Sequence, residues 1–137
     1  MIRLRRLAVG ATLGSVLLAC SSEKESNARQ SAARVVRATE VLRGAPNRAK
    51  AEALRELAKV PCESPEACGA RDACVAAYAT HTEALMLTEA AKLQASEGRP
   101  EEGAKVLGAA EQKLSEARTQ VIDCTDREAA LRRLYKL

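Results

Sequence analysis

The stretch from Pro100 to Cys124 restricts the possible folds more than any other part of this sequence. Gly103, Leu107, Ala110, Leu114, Ala117, Val121 and Cys124 follow one another at alternating intervals of four and three residues. That period keeps one stripe on one side of an α-helix and is the pattern of a coiled-coil seam. Gly and Ala recur in the stripe, so a partner helix can approach closely. Elsewhere Ala is abundant, whereas the chain holds only 7 Gly and 4 Pro, so helix propensity is high almost throughout. No period-two run of β-branched or aromatic residues marks a strand. The reading is all-α: a small antiparallel bundle of four to five helices built around a long helical hairpin.

The remaining helices follow from periodicity and punctuation. Ala28, Ala32, Val35, Thr39 and Leu42 form one stripe, widened by Val36 and Ala38, which predicts a helix over 28–43. Gly44 and Pro46 end it. Asn47 is placed to cap a second helix over 48–60, with Leu54, Leu57 and Val60 inward beside Ala53, and Pro61 stops it. Ser64, Pro65 and Glu66 form a strong start signal for a third helix reaching about residue 96, loosened at Gly69. Its expected buried face is Val75, Tyr78, Thr82, Leu85, Met86 and Leu93. Gly98 turns the chain, and Pro100, Glu101 and Glu102 open the fourth helix with acids facing its dipole. Thr125-Asp126-Arg127-Glu128 has the form of a capping box and predicts a separate last helix to about residue 135, docked by Ala130, Leu131 and Leu134.

The N-terminus reads differently. Arg3, Arg5 and Arg6 are followed by an uncharged apolar stretch over 7–19. That stretch is shorter than the ~20 apolar residues a bilayer span needs. It leads into Leu17-Leu18-Ala19-Cys20. Together these resemble the export signal and lipobox of bacterial lipoproteins. The resemblance covers only the first twenty or so residues. It implies removal of 1–19, a diacylglyceryl group on the Cys20 sulfur, and a lipid-anchored N-terminus with a solvated tether over 20–27. The helical domain read from the periodicity then covers 28–137. Each buried CH₂ adds ~0.8 kcal/mol, so a multiply acylated (palmitate-type) anchor does not release. In enterobacterial lipoproteins an Asp after the lipidated cysteine favours retention in the inner membrane. Ser21 stands there, which implies the outer membrane, facing the periplasm, of a Gram-negative envelope.

Removing the leader changes the charge reading. The chain has a formal charge of +4, but three arginines and no acid precede Cys20, leaving 19 basic against 18 acidic residues. No basic excess then points to nucleic acid. The chain also lacks Trp and Phe, and Tyr78 and Tyr135 are its only aromatics, so stacking platforms for single strands are missing.

Four cysteines remain beyond Cys20, an even number in an exported chain, which favours two disulfides. Cys74 lies 24 residues before Gly98 and Cys124 lies 26 after it. In an antiparallel hairpin that mismatch is ~3 Å along the axis, and Cys68 would be displaced by a further ~9 Å. Cys74–Cys124 with Cys62–Cys68 is therefore ranked first. Cys62–Cys74 with Cys68–Cys124 is the alternative if Gly69 breaks the helix. The spacings lack the close C-x₂₋₄-C pairs of zinc sites and the C-x-x-C of redox couples.

No catalytic constellation emerges. His81 is the only histidine, so no histidine pair can hold a metal. Met86 lies five residues along the same helix, so the two cannot ligate one haem from opposite sides. Lys92, Lys105 and Lys113 alternate with Glu89, Glu102, Glu111 and Glu116, as on a solvated salt-bridged face. The expectation is a non-enzymatic, lipid-anchored envelope protein without cofactor or metal, structural or adaptor in role. It would offer a helical face to another envelope protein. The alternative is a periplasmic bundle binding a small ligand or haem, with His81 as one ligand.

Overall fold

The computed structural model describes residues 16–137, with side chains from residue 22. Four helices make up these residues: α1 (Val16–Gly44), α2 (Asn47–Lys59), α3 (Pro65–Ser96) and α4 (Pro100–Tyr135). The described residues contain no strand. The leader expected over 1–19 lies outside the described residues, except that 16–19 are helical backbone.

α3 and α4 form an antiparallel hairpin, packed together far more extensively than any other pair of helices. On α4, Gly103, Ala110, Ala117, Cys124 and Leu131 are all buried, one every seven residues. On α3, Ala70, Ala77, Ala84 and Ala91 repeat the same interval, with Ala67 and Cys74 beside them. Small residues at the seam let the backbones close in. A Cβ added to Gly103 would stand 2.8 Å from the Ala91 carbonyl oxygen, so only glycine fits there. At the tip Gly98 takes φ 79°, a left-handed turn that glycine adopts without strain. At the open end the Ser64 hydroxyl accepts from the Ala67 amide at 3.1 Å and Pro65 occupies the first helical position, as the start signal implies.

α1 runs parallel to α3 and lies along one side of the open half of the hairpin. Its Ala32, Val35 and Val36 pack with Ala67, Ala70 and Leu131. One helix end further on, Leu42 joins Leu57, Cys74, Tyr78 and Cys124. α2 then returns along α3. Each fully buried Leu or Val stabilises by about 1.5–3 kcal/mol, so these two clusters form the aliphatic core. Lys50 of α2 closes the end of α1. Its ammonium donates to the Leu42 and Arg43 carbonyls, both at 3.2 Å, and stands 5.8 Å from the centre of the Tyr78 ring. The last carbonyls of α1, which have no partner within the helix, are thereby satisfied.

Five expectations need correction. α1 begins at Val16, not near residue 28, so the tether is helical although 22–27 are exposed as expected. No Gly or Pro interrupts 16–43, and Glu and Lys are good helix formers, so nothing stops the helix there. α2 starts at Asn47 with no side-chain cap, and Pro46 holds the cap position. α4 continues to Tyr135 without a separate last helix, because Glu128 is buried against two arginines instead of capping. Finally, Met86 and Leu93 are 62% and 59% exposed. α3 turns its alanine stripe to α4 because the close approach admits only small side chains. α3 is also continuous through Gly69.

Gly103→Ala forces α3 and α4 apart and is expected to cost about 1–3 kcal/mol, a fall of roughly 3–10 °C in Tm. Gly108, in the same helix, has open space where a Cβ would go. Gly108→Ala is expected to raise Tm, by about 0.5–1 kcal/mol of stability. Thermal melts of the two variants test the seam directly.

Candidate functional site

Each cysteine of the domain is in a disulfide. Cys74 bonds to Cys124 with their Cα atoms 4.6 Å apart, and Cys62 bonds to Cys68 with Cα atoms 5.2 Å apart. This is the connectivity ranked first from the hairpin register. The first bridge crosses the seam where α1 ends, and the second closes the loop leading into α3. By the chain-entropy relation they stabilise by about 4 and about 2 kcal/mol. Cys20 falls within α1, in a stretch whose side chains lie outside the described residues.

The buried charge is concentrated where α1 meets α4. Glu128 is almost fully buried and receives Arg43 of α1 at 2.5 Å and Arg132 at 2.8 Å; Arg132 also reaches Glu40 at 2.5 Å. The hydrogen bond to Glu128 raises the pKa of both guanidiniums. These contacts fix the direction and register of α1. They are a structural lock rather than a reactive centre, for all the charges are mutually satisfied.

The hairpin has two long flanks, and they differ in chemistry. On one, Lys113 of α4 bridges to Glu83 of α3 at 3.0 Å, and Gln94 and Gln120 also lie there. On the other, positions seven residues apart line a groove: Tyr135, Glu128, Val121, Leu114 and Leu107 on α4, and Ala67, Cys74, His81, Thr88 and Ala95 on α3. α1 fills this groove over its first part, reaching Val121 and Cys74. Beyond that point the groove is open, first beside His81, Leu114 and Val121, then between Thr88, Ala95, Gly103 and Leu107. Leu107 is 43% exposed. Lys92 and Arg118 border the open part, one on each wall. This face was not resolved at the level of sequence, where the stripe containing Leu107 and Leu114 reads wholly as core.

His81 therefore sits in the groove, with its ring edge-on to Tyr78 at 6.4 Å between centroids. Its Nδ1 is buried and has no hydrogen-bond partner. Burial, and then the Lys50 charge, hold the imidazole below the usual histidine pKa. Met86 faces away from the groove and is exposed. Among the described residues no group of three or more His, Cys, Asp or Glu could hold a metal ion. None of the described helices is long and apolar enough to cross a membrane. Lys92 pairs with Glu89, and Lys113 with Glu83 and Glu116, on the solvated surface.

No family model matches the chain, and no curated protein or solved structure is detectably similar to it.

Two outcomes test this reading. Glu128→Ala leaves two guanidiniums without their shared partner. It is expected to destabilise by about 1–3 kcal/mol, below the usual cost of breaking a buried pair because both arginines are partly exposed. Chemical denaturation measures it. Because the folded-state pKa of His81 is depressed, the unfolded chain binds the extra proton first. Stability is then full above the ordinary histidine value of about 6.5 and declines as pH falls through the folded pKa. Tm measured from pH 7.5 to 5 should drop less in His81→Gln than in the parent.

Proposed function

We propose that this protein is a lipid-anchored adaptor of the bacterial cell envelope, non-enzymatic, which presents the tip of its helical hairpin to a second envelope protein. The supporting observation is the placement of its two ends. The Ser31 hydroxyl accepts from the Glu63 amide at 2.8 Å, and Arg29 reaches the Lys136 carbonyl at 3.4 Å. The N-terminal arm of α1 therefore emerges beside the open end of the hairpin. Gly98 lies at the opposite end. Taking 1.5 Å per residue, Cys20 to Ser31 spans ~16 Å and Ser64 to Gly98 a further ~50 Å. An acylated Cys20 at one end would hold the tip about 65 Å from the lipid.

That arrangement suits reach and contact better than chemistry. A helical tether stands off from the bilayer by its own length, whereas an extended one of the same residues would allow the domain to wander. Ser21 directs the anchor to the outer membrane under the enterobacterial sorting pattern, and the domain would then project into the periplasm. The disulfides fit that oxidising compartment. A near-neutral domain and an apolar groove favour a protein partner over a nucleic acid or polyanion.

The test is membrane fractionation followed by co-purification from gently solubilised membranes. The parent should sediment with membranes and enrich a partner, and Cys20→Ala should be soluble and enrich none. If Cys20→Ala remains in the membrane fraction, the anchor is misassigned. If no partner exceeds the Cys20→Ala control, the adaptor reading fails.

A further inference from the structure

We propose that the open distal half of the hairpin groove receives one amphipathic α-helix of the partner, laid end to end with α1 and flanked by acidic residues. This deepens the adaptor reading and rests on it. The groove is continuous with the one α1 already fills, and its walls keep the same seven-residue register. Under α1 they are Cys74 on α3 and Val121 on α4; further out they are His81, Thr88 and Ala95 facing Leu114 and Leu107. What α1 offers to that register is a stripe of Ala32, Val35, Thr39 and Leu42, all buried. A second helix with the same stripe meets the same surface and extends the three-helix packing to the tip.

The surroundings limit the occupant to a single helix. The groove is stopped at one end by Leu42 and the α1 terminus. On the α3 side the start of α2 stands beside it, with Asn47 and Arg48 against Thr82, Leu85 and Glu89. From His81 to Ala95 the opening is ~21 Å long, about four helical turns. The charge of the occupant follows from the rim. Lys92 and Arg118 line the opening, and Glu111 stands one heptad before Arg118 on the same line of α4. Lys92 is shared with Glu89, while Arg118 has no ion pair among the described residues. Acidic flanks on the incoming helix would meet both. α1 itself carries Arg29, Arg34, Arg37 and Arg43. Another molecule's α1 is thus the wrong sign for this half.

The probe is a lactam-stapled peptide with the sequence of residues 28–44 in which those four arginines are replaced by glutamate, beside an unaltered stapled control. Binding to the purified full chain is followed by fluorescence anisotropy. The acidic peptide should bind saturably and the basic control about tenfold more weakly or not at all. Leu107→Glu and Leu114→Glu should each weaken the acidic peptide about tenfold, and Arg118→Glu should reverse the preference between the two. Circular dichroism and intact disulfides establish that the variants are folded. Absence of saturable binding, or binding indifferent to both leucine substitutions, overturns the proposal. So does concentration-dependent self-association in sedimentation that Leu114→Glu abolishes, since a second copy would then own the groove. In membranes, a partner enriched equally by the parent and by Leu114→Glu sinks the groove assignment and leaves the adaptor reading standing. A partner never enriched over Cys20→Ala sinks the adaptor reading itself.

Discussion

The close approach of α3 and α4 sets the conditions for everything else in this molecule. With Gly103 against the Ala91 carbonyl and alanine at most other seam positions, the two backbones pack with little side-chain mass between them. Such a seam is tight but buries little apolar area, and at about 25 cal/mol per Å² it stabilises less than a seam of leucines. The chain compensates covalently. Cys74–Cys124 crosses the seam at the level where Leu42 and Tyr78 close the aliphatic core. The bridge therefore ties the well-packed four-helix half to the thinner two-helix half, and the distal arm inherits its alignment from that point.

Polar groups inside the bundle serve the same geometry. Glu128 would be costly alone at its depth, but it joins α1 to α4 through Arg43 and Arg132, so α1 cannot slide along the groove without breaking them. Lys50 carries out a second fixing role by holding the final carbonyls of α1 and sitting over Tyr78. Both residues give α1 a defined end, and the place where α1 ends is what leaves the groove beyond it open.

How much of this was legible follows from how strongly each residue type commits. The α4 stripe was readable because its period is regular over about six turns, and from it came the hairpin register and the cysteine pairing. The capping-box pattern at Thr125 misled, since a Glu three residues after a Thr also suits a buried ion pair, and only the neighbouring α1 decides between them. Met86 and Leu93 misled for a different reason. Hydrophobicity alone favours burying them, but at a glycine–alanine seam the separation of the helices selects by volume, and the alanines win. The early start of α1 is hidden in a polar stretch that has the composition of a tether, although Glu and Lys without Gly or Pro carry a helix as readily as apolar residues do.

The open groove shows why function is harder to read than fold in such a chain. Leu107 and Leu114 are the same residue type at the same register as Val121, which α1 covers. Nothing in their own sequence separates core from docking surface. The distinction arises some sixty residues earlier, where Gly44, Ala45 and Pro46 stop α1. Proline removes the helical amide and biases Ala45 away from the α region, and the chain turns back as α2. A straight α1 two heptads longer would have filled the groove to the tip and closed the surface. By ending it at Gly44, the chain keeps the packing rules of its own interior on display for a helix it does not supply.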